Sequence, residues 1–307
     1  MEDSQRHTDQ GLARSFEDDR PRLLRIAYTM TGSLAEAEDC VQEAWLRLRG
    51  LDDPRTIHNL AAWLTTTISR LALDALGSAR ARREQYVGTW LPEPLVETRS
   101  HDPADRVTLD ESVSMALLVV LEQLSPAERT AFVLHDVFSV PFGEVAELVG
   151  RSPGAVRQLA SRARRRVQDG RPRTPPTEAE QRQLVEAFAA ACQSGDLPGL
   201  VALLDPDVVL RGDGGGRVST VPHPVREATR IAPMMLAHAR DAGPMDILPA
   251  YVNGAPGLVI RSGAPEGSDT EGSDELSVLS FTVDDGVITA IDLVRNPDKL
   301  VTVPRAT

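Results

Sequence analysis

The sequence predicts a multidomain protein in which two all-α domains precede one α+β domain. Apolar residues recur at helical spacing through most of the first 170 positions, whereas short β-like runs begin only after residue 200. A chain of 307 residues, 41% of them hydrophobic, can fill more than one core. The predicted parts are a disordered N-terminus (1–14), a first helical domain (15–86), a connector (87–107), a second helical domain (108–170), a linker (171–177), an α+β domain (178–301) and a tail (302–307).

Three helices are predicted in the first helical domain. Apolar residues at helical spacing over 23–30 indicate the first helix, and a Thr-Gly-Ser break follows it. Ser33 is a suitable N-cap for a second helix that ends near Leu48. The third helix is predicted over 59–83, and its last turns are basic.

The second helical domain follows a connector that holds three prolines and little periodicity. Its first helix is predicted over 108–124. Ser125 and Pro126 then mark the start of another helix, with Ser125 as N-cap and Glu128 completing a capping box.

Two short helices, predicted over 142–149 and 153–168 with a turn at Gly150, indicate a helix-turn-helix with a basic second helix. The formal net charge is −12, yet the 23 residues of 151–173 hold eight Arg and one acid. Arg and Gln suit base edges in a major groove, and further Arg suit phosphates. The alternative is a solvated basic helix on an ordinary bundle. The residues predicted to contact duplex DNA are Arg151, Ser152, Arg157, Gln158, Ser161, Arg162, Arg164 and Arg165.

The α+β domain is predicted to open with an amphipathic helix over 177–194 and to continue as a curved antiparallel sheet. Gly and Asp turns separate its β-like runs, and the Gly/Ser/acid-rich segment 263–274 is expected to be a mobile loop. The runs are 208–210, 257–261, 276–283 and 287–294.

Composition excludes several classes of protein. No run of eighteen apolar residues exists, and residues 1–14 lack the apolar core of a secretory signal. Cys40 and Cys192 are too few for a disulfide scaffold or a cysteine-based zinc site, and they fit a reducing cytoplasm. The acid–base candidates of the α+β domain show no catalytic triad order, metal spacing or phosphate loop, so no catalytic residue, metal or cofactor is predicted. These candidates are Asp213, His223, His238 and Asp292.

Three motifs in order resemble the sigma factors of bacterial RNA polymerase, and their spacing to the helix-turn-helix matches the extracytoplasmic-function (ECF) group. The motifs are residues 39–46 (Asp-Cys-Val-Gln-Glu-Ala-Trp-Leu), 62–64 (Ala-Trp-Leu) and 80–84 (Arg-Ala-Arg-Arg-Glu). The resemblance implies that the helical domains are regions 2 and 4, which read the −10 and −35 promoter elements. It assigns polymerase binding to Asp39, Gln42, Glu43 and Trp45. It assigns the −10 element to His58, Asn59, Trp63, Arg70, Arg80, Arg82 and Arg83. Taken alone, Asp39 and Glu43 would be a solvated face and Trp63 a core residue.

Three further motifs resemble the ECF sigma factors that carry a C-terminal SnoaL-like extension. They are Trp90, Leu91, Pro92, Glu93 and Pro94 in the connector, Asp213, Gly214, Gly215, Gly216 and Arg217, and Asn296, Pro297, Asp298, Lys299 and Leu300. The resemblance implies a cone-shaped fold for the last domain, shared with nuclear transport factor two. Since Trp favours burial in a pocket, we expect the connector to be bound, most economically by this domain. These fifteen residues are therefore predicted to make regulatory interdomain contacts.

The predicted function is that of a cytoplasmic sigma factor that directs core polymerase to specific promoters and is regulated in cis by its SnoaL-like domain. The implied partners are the β′ clamp helices and β flap of core polymerase and promoter DNA, with a small molecule in the cone as a further candidate. No membrane contact is expected, and the free protein is expected to be a monomer. Two alternatives stay open: a ligand-sensing one-component transcription factor, and a cyclase- or isomerase-like enzyme with a DNA-binding domain.

Overall fold

A computed structural model describes residues 2–83, 86–97, 113–241, 245–262 and 275–303. The chain divides into two compact units. The first comprises Met1–Glu84, Val107–Ser112 and Val120–Asp169, and the second comprises Gln85–Arg106, Val113–Val119 and Gly170–Thr307. Most of the connector thus belongs to the same unit as the α+β domain.

The first unit opens with three helices: α1 (Glu2–Thr31), α2 (Leu34–Arg49) and α3 (Leu60–Arg83). Ser33 caps α2 as predicted, because its side chain accepts a hydrogen bond from the Glu36 N–H. A buried stripe on α2 includes Val41 and Leu48. The expectation of a disordered segment over 1–14 differs from the structure, in which α1 begins at Glu2. The physical reason is that residues 2–14 contain no proline, so no residue of this segment blocks the helix.

Four more helices follow along the chain: α4 (Met115–Leu121), α5 (Pro126–Phe132), α6 (Phe142–Val149) and α7 (Pro153–Asp169). The capping box at α5 is confirmed, with both Ser125 and Glu128 bonded across it. The helix-turn-helix is confirmed as well, with Gly150 in the left-handed region at φ 66° between α6 and α7. The helix predicted from residue 108 is described only from Met115, where Ser114 accepts a bond from the Leu117 N–H. Residues 98–112 lie outside the described part.

A buried arginine joins the two helical regions inside the first unit. Arg129 on α5 is 1% exposed and donates from Nη1 to the Met30 carbonyl oxygen of α1, at 2.9 Å. Its other nitrogens bind the Leu121 carbonyl and the Glu122 carboxylate, at 2.9 and 2.5 Å. These hydrogen bonds satisfy the buried guanidinium, and the one to Met30 holds the end of α1 against α5.

The second unit is built on a sheet of seven strands in the order β1-β4-β5-β6-β7-β2-β3. The strands are β1 (Val96–Glu97), β2 (Leu204–Asp213), β3 (Val225–Arg226), β4 (Met245–Val252), β5 (Ala255–Ser262), β6 (Glu275–Asp284) and β7 (Val287–Val294). The sheet is mixed, which corrects the antiparallel prediction: β2 and β7 pair in parallel. No hairpin links these two strands, so no tight turn forces them to run in opposite directions.

Three helices cover one face of this sheet: α8 (Glu178–Ser194), α9 (Leu197–Leu203) and α10 (Ala228–Asp241). Their core includes Phe188 and Phe281, whose rings meet edge to face at 5.0 Å. A second cluster, on residues of β4 to β7, takes in Leu91 of the connector and Met115 of α4. The sequence did not predict β1, β3, β4, α9 or α10; α10 contains Pro233 and β4 contains Pro249.

Candidate functional site

The outer face of α2 carries the residues assigned to polymerase. Asp39 and Gln42 are exposed, while Glu43 pairs with Arg47 at 2.8 Å. Trp45 is half-buried because its ring packs on Phe16, with centroids 4.9 Å apart. The sequence analysis missed Leu46, which is 52% exposed on the same helix. The sequence did carry a signal for it, because Leu46 is an apolar residue that does not belong to the buried stripe of α2.

The residues assigned to the −10 element lie before and along α3. His58 and Asn59 are exposed, and the Asn59 side chain accepts a bond from the Ala62 N–H at 3.0 Å, so it also caps the helix. Trp63 is half-buried and Arg70 is exposed. Arg80, Arg82 and Arg83 belong to α3, but their side chains lie outside the described part.

The second helix of the helix-turn-helix, α7, presents a basic surface. Val156, Ala160, Ala163 and Val167 form its buried stripe. Six of the eight residues assigned to duplex DNA are exposed, namely Arg151, Ser152, Arg157, Gln158, Arg162 and Arg165, whereas Ser161 and Arg164 are half-buried.

Three of these residues also have contacts inside the protein. Arg164 pairs with Asp136 at 2.6 Å, and the Arg157 guanidinium lies 5.6 Å from the Phe142 ring centroid. Ser152 accepts a bond from the Ala155 N–H and so caps α7. Arg157, Gln158 and Arg162 are exposed in the middle of α7, and their side chains suit base edges.

A fully buried carboxylate ties the connector to the α+β domain. Asp213 is 0% exposed, and its Oδ2 accepts bonds from the Leu91 N–H at 2.8 Å and from Lys299 Nζ at 2.7 Å. Its Oδ1 accepts the Tyr86 hydroxyl at 2.5 Å. We call Tyr86, Trp90, Leu91, Asp213, Asn296 and Lys299 the connector cluster. The cluster joins three segments more than 80 residues apart in sequence.

Lys299 and Tyr86 complete this cluster. Lys299 Nζ donates to the Leu91 carbonyl and lies 3.9 Å from the Trp90 ring centroid, a cation–π geometry. Asn296 Nδ2 donates to the Tyr86 hydroxyl at 2.8 Å. Burial and the hydrogen bond to Asp213 raise the pKa of Tyr86, so its hydroxyl stays protonated and donates. The sequence analysis missed Tyr86, since it lies outside the recognised motifs.

The glycine motif permits close packing at two points. A side chain on Gly214 would place its Cβ 1.9 Å from the Val218 carbonyl oxygen, and one on Gly215 would place it 2.5 Å from the Asn296 side chain. Gly215 also has a φ of +64°, which favours glycine. By contrast, Arg217 and Asp298 form an exposed pair at 3.0 Å, which stabilises little.

The acid–base candidates of the α+β domain are not brought together. Asp213 belongs to the connector cluster, His223 is exposed, and Asp292 is buried against Arg211 at 2.7 Å. Burial raises the pKa of Asp292 and lowers that of His238. Among the described residues no group of three or more His, Cys, Asp or Glu side chains could hold a metal ion.

The helical regions match two family models. Residues 16–82 match sigma-70 region 2, and residues 114–167 match sigma-70 region 4. The ECF RNA polymerase sigma factor SigJ of Mycobacterium tuberculosis H37Rv is 44% identical over 305 residues, which cover 94% of this chain and 93% of SigJ. The chain belongs to the ECF RNA polymerase sigma factors.

This sigma factor has further relatives of similar length. SigI of M. tuberculosis CDC 1551 / Oshkosh is 38% identical over 290 residues, covering 92% of each chain. The crystal structure of M. tuberculosis SigJ matches with a TM-score of 0.76 at 39% identity, over 96% of this chain and all of that chain. The predicted family is thereby confirmed, and so is the fold class of two helical sigma regions followed by a C-terminal α+β domain.

Membership of this family also decides between the functional alternatives. Sigma factors are transcription initiation factors rather than enzymes, so the interpretation as an enzyme with a DNA-binding domain is wrong for this sigma factor. The interpretation as a one-component transcription factor is replaced by that of a sigma factor, because members of this family bind core polymerase in addition to promoter DNA. Among the described helices, none is long and apolar enough to cross a membrane.

Proposed function

We propose that this sigma factor directs core polymerase to a specific set of promoters, and that its C-terminal domain controls it in cis by holding the connector. The observation that carries the second part is the buried Asp213 carboxylate, which binds connector residue Leu91 and the C-terminal Lys299 together. A buried charge of this kind is costly unless all its partners are in place, so the held connector is a defined state.

The exposed face of α2 is proposed to bind the β′ clamp helices of core polymerase. Asp39 and Gln42 are exposed there. Leu46, which lies between these two residues and the end of the helix, offers an exposed apolar side chain. Exposed charges set the rate and specificity of association, whereas apolar anchors contribute the affinity. Glu43 and Trp45 contribute less directly, since each already contacts a residue of its own region.

Region 2 is proposed to hold the opened −10 strand along α3. His58 and Arg70 are exposed at its start and middle, and the half-buried Trp63 offers part of a ring on which a base can stack. The basic end of the helix, with Arg80, Arg82 and Arg83, would track the phosphates.

Region 4 is proposed to bind the −35 duplex with α7 in the major groove. Arg157, Gln158 and Arg162 would contact base edges, and Arg151 and Arg165 would contact phosphates. Region 4 is also proposed to contact the β flap, as the family resemblance implies.

The proposed regulation depends on how regions 2 and 4 are linked. Both belong to one compact unit, with Arg129 buried between them. The two promoter elements lie apart along a duplex that rises about 3.4 Å per base pair. Regions 2 and 4 must therefore separate to bind both elements at once. The connector is the segment between them, and a connector held by Asp213 opposes their separation. The held form would be inactive and the released form active.

As an initiation factor for core polymerase, the protein is proposed to act in the cytoplasm and to be a monomer when free. A small molecule bound in the C-terminal cone is proposed as the signal that shifts the balance between the two forms.

Transcription with purified core polymerase tests the proposed function. Core alone and core with the full chain are compared on a supercoiled template library, and the starts are mapped. We expect new starts only with the chain, each preceded by a shared pair of upstream elements. A folded protein that adds no start, or adds starts without shared elements, contradicts the proposal.

A further inference from the structure

The α+β domain contains an apolar cavity of about 280 Å³, in which the small molecule proposed above as the signal can bind. It lies between α8, α10 and the helix-covered face of the sheet. Its walls include Phe188, Leu210, Met234, Met235, Leu258 and Leu293. This volume lies just below the usual range of small-molecule sites, about 300 to 1,000 Å³. The apolar walls therefore suit a small ligand that is itself largely apolar.

One part of the cavity wall is polar and holds a buried arginine with an open donor. Arg295 is 7% exposed; its Nη1 donates to the Ser219 carbonyl at 2.6 Å, and its Nη2 binds Glu275. Among the described residues, Arg295 Nε has no hydrogen-bond partner, and neither has the buried hydroxyl of the wall residue Thr220. Buried donors left without partners cost free energy, so an acceptor placed here is favoured.

The charges around Arg295 decide which acceptor fits. Glu275 already balances the guanidinium charge. The other titratable wall residues are His238 and Cys192. Burial first and then the charge of Arg295 lower the pKa of His238, and burial raises the pKa of Cys192 to about 11, so at neutral pH neither adds a charge. A carboxylate ligand would therefore bring an unbalanced negative charge into an apolar cavity, which is unfavourable. A neutral oxygen acceptor carries no such cost.

We propose that this cavity binds a small, largely apolar, uncharged molecule whose carbonyl-type oxygen accepts a hydrogen bond from Arg295 Nε. Ketones, lactones and quinones are of this class. The proposal gives the chemical class of the small molecule proposed above as the signal. Its effect on regulation rests on the proposed function, whereas binding of the molecule does not.

The same arginine connects the cavity with the connector cluster. The backbone N–H of Arg295 donates to the Asp213 carbonyl oxygen at 2.7 Å, and its Nη1 bond to Ser219 holds the segment that follows the glycine motif. A ligand that repositions Arg295 therefore acts on the residue whose carboxylate holds the connector.

Three probes of nearly the same shape test the proposal on the full chain: benzophenone, diphenylmethane and diphenylacetate. Each is titrated against the protein at neutral pH. We expect benzophenone to bind about tenfold more tightly than diphenylmethane, since a hydrogen bond from a charged donor contributes about 1.5 to 3 kcal/mol. We expect diphenylacetate to bind more weakly than benzophenone. Absence of benzophenone binding, or equal or tighter binding of either other probe, would overturn the proposal.

Two further measurements place the site without removing Arg295, whose loss could unfold the domain. Irradiated benzophenone should cross-link to Met234 or Met235, as mapped by mass spectrometry. Ala189→Leu fills the cavity and should weaken binding at least tenfold, whereas Ala190→Leu, exposed one residue along α8, should not. Cross-links elsewhere, or equal effects of both variants, would overturn the assignment. Since no polymerase is present, these outcomes are independent of the transcription test.

Discussion

Lys299 Nζ lies 2.7 Å from Oδ2 of Asp213, and this carboxylate side chain has no exposed surface. Lys299 is the only lysine of the chain. Its ammonium also donates to the Leu91 carbonyl and lies over the Trp90 ring. One compact cation thus binds a strand end and the connector at once, which a planar guanidinium of fixed geometry would not reproduce.

Lys299→Met should therefore destabilise the second unit strongly. Removing one partner of a buried pair leaves the other charge uncompensated, which costs about 3 to 5 kcal/mol. Urea unfolding of the full chain measures this change. The matched control is Arg217→Met, because the Arg217–Asp298 pair is 63% and 60% exposed and should contribute at most about 1 kcal/mol. Equal effects of the two variants would show that the buried pair does not hold the cluster together.

Glu128 should make region 4 less stable at low pH. Burial acts to raise the pKa of Glu128, but hydrogen bonds from Ser125 and the charges of Arg166 and Arg162 lower it below its ordinary value of 4.5. A pKa lowered by folding stabilises the folded state above the ordinary value, and this stabilisation is lost as pH falls through the folded-state pKa. Wild type should thus exceed Glu128→Gln in unfolding free energy at pH 7, and the difference should shrink below pH 4.5. A difference that stays constant with pH would contradict this assignment.

Polymerase binding should depend on the exposed face of α2. Asp39→Arg with Glu43→Arg reverses two charges there and should abolish co-purification with core polymerase, while the fold survives because exposed charges contribute little to stability. The matched control is Glu17→Arg with Asp18→Arg, two exposed acids on α1 of the same region. Normal assembly of the folded α2 variant, or equal loss in the control, would remove this face from the interface.

Signals confined to a few residues predicted the structure well. The N-cap at Ser33, the capping box at Ser125 and the turn at Gly150 each depend on neighbours within one helical turn. Pairing across long separations was not predictable: Tyr86 and Asp213 lie 127 positions apart, and no local pattern marks Tyr86 as a partner. Strand β4 was missed because Pro249 interrupts its pattern.

The sheet topology explains why that proline is tolerated. On one side β4 pairs along its length with β5, whereas on the other its partners among the described residues are the two residues of β1, opposite Tyr251 and Val252. In the part of the chain that the structure describes, β4 is therefore an edge strand over most of its length, where a missing N–H costs little. Whether a strand tolerates a proline therefore depends on the neighbours of that strand in space rather than in sequence.

The −35 contacts should separate by role when single residues of α7 are changed. Arg157→Ala or Arg162→Ala should cost about 1 to 3 kcal/mol and relax the preference at one base pair if the side chain reads a base edge. Arg165→Ala should weaken all sequences alike and reduce the salt slope by about 1, as a phosphate contact does. Binding is measured by fluorescence anisotropy at several salt concentrations.

The full chain must be used for this measurement, since residues Val113–Val119 belong to the second unit and a fragment of region 4 alone would lose their packing. Arg164→Ala is the internal comparison, because Arg164 already pairs with Asp136 and should affect DNA affinity less than Arg162. Unchanged binding by the Arg157→Ala, Arg162→Ala double variant would place sequence recognition elsewhere.

Release of the connector should expand the free protein and raise transcription. Gly215→Val would bring its Cβ to 2.5 Å from Asn296, and Trp90→Ala removes the ring under Lys299, so both should break the connector cluster. Small-angle scattering should then give a larger radius of gyration than wild type, and initiation at limiting sigma factor should rise. The matched control is Gly286→Val, which has the same backbone strain at φ +78° but meets nothing within 4 Å. Scattering profiles of Gly215→Val and Gly286→Val that superimpose, with both proteins folded, would show that the cluster does not restrain the chain.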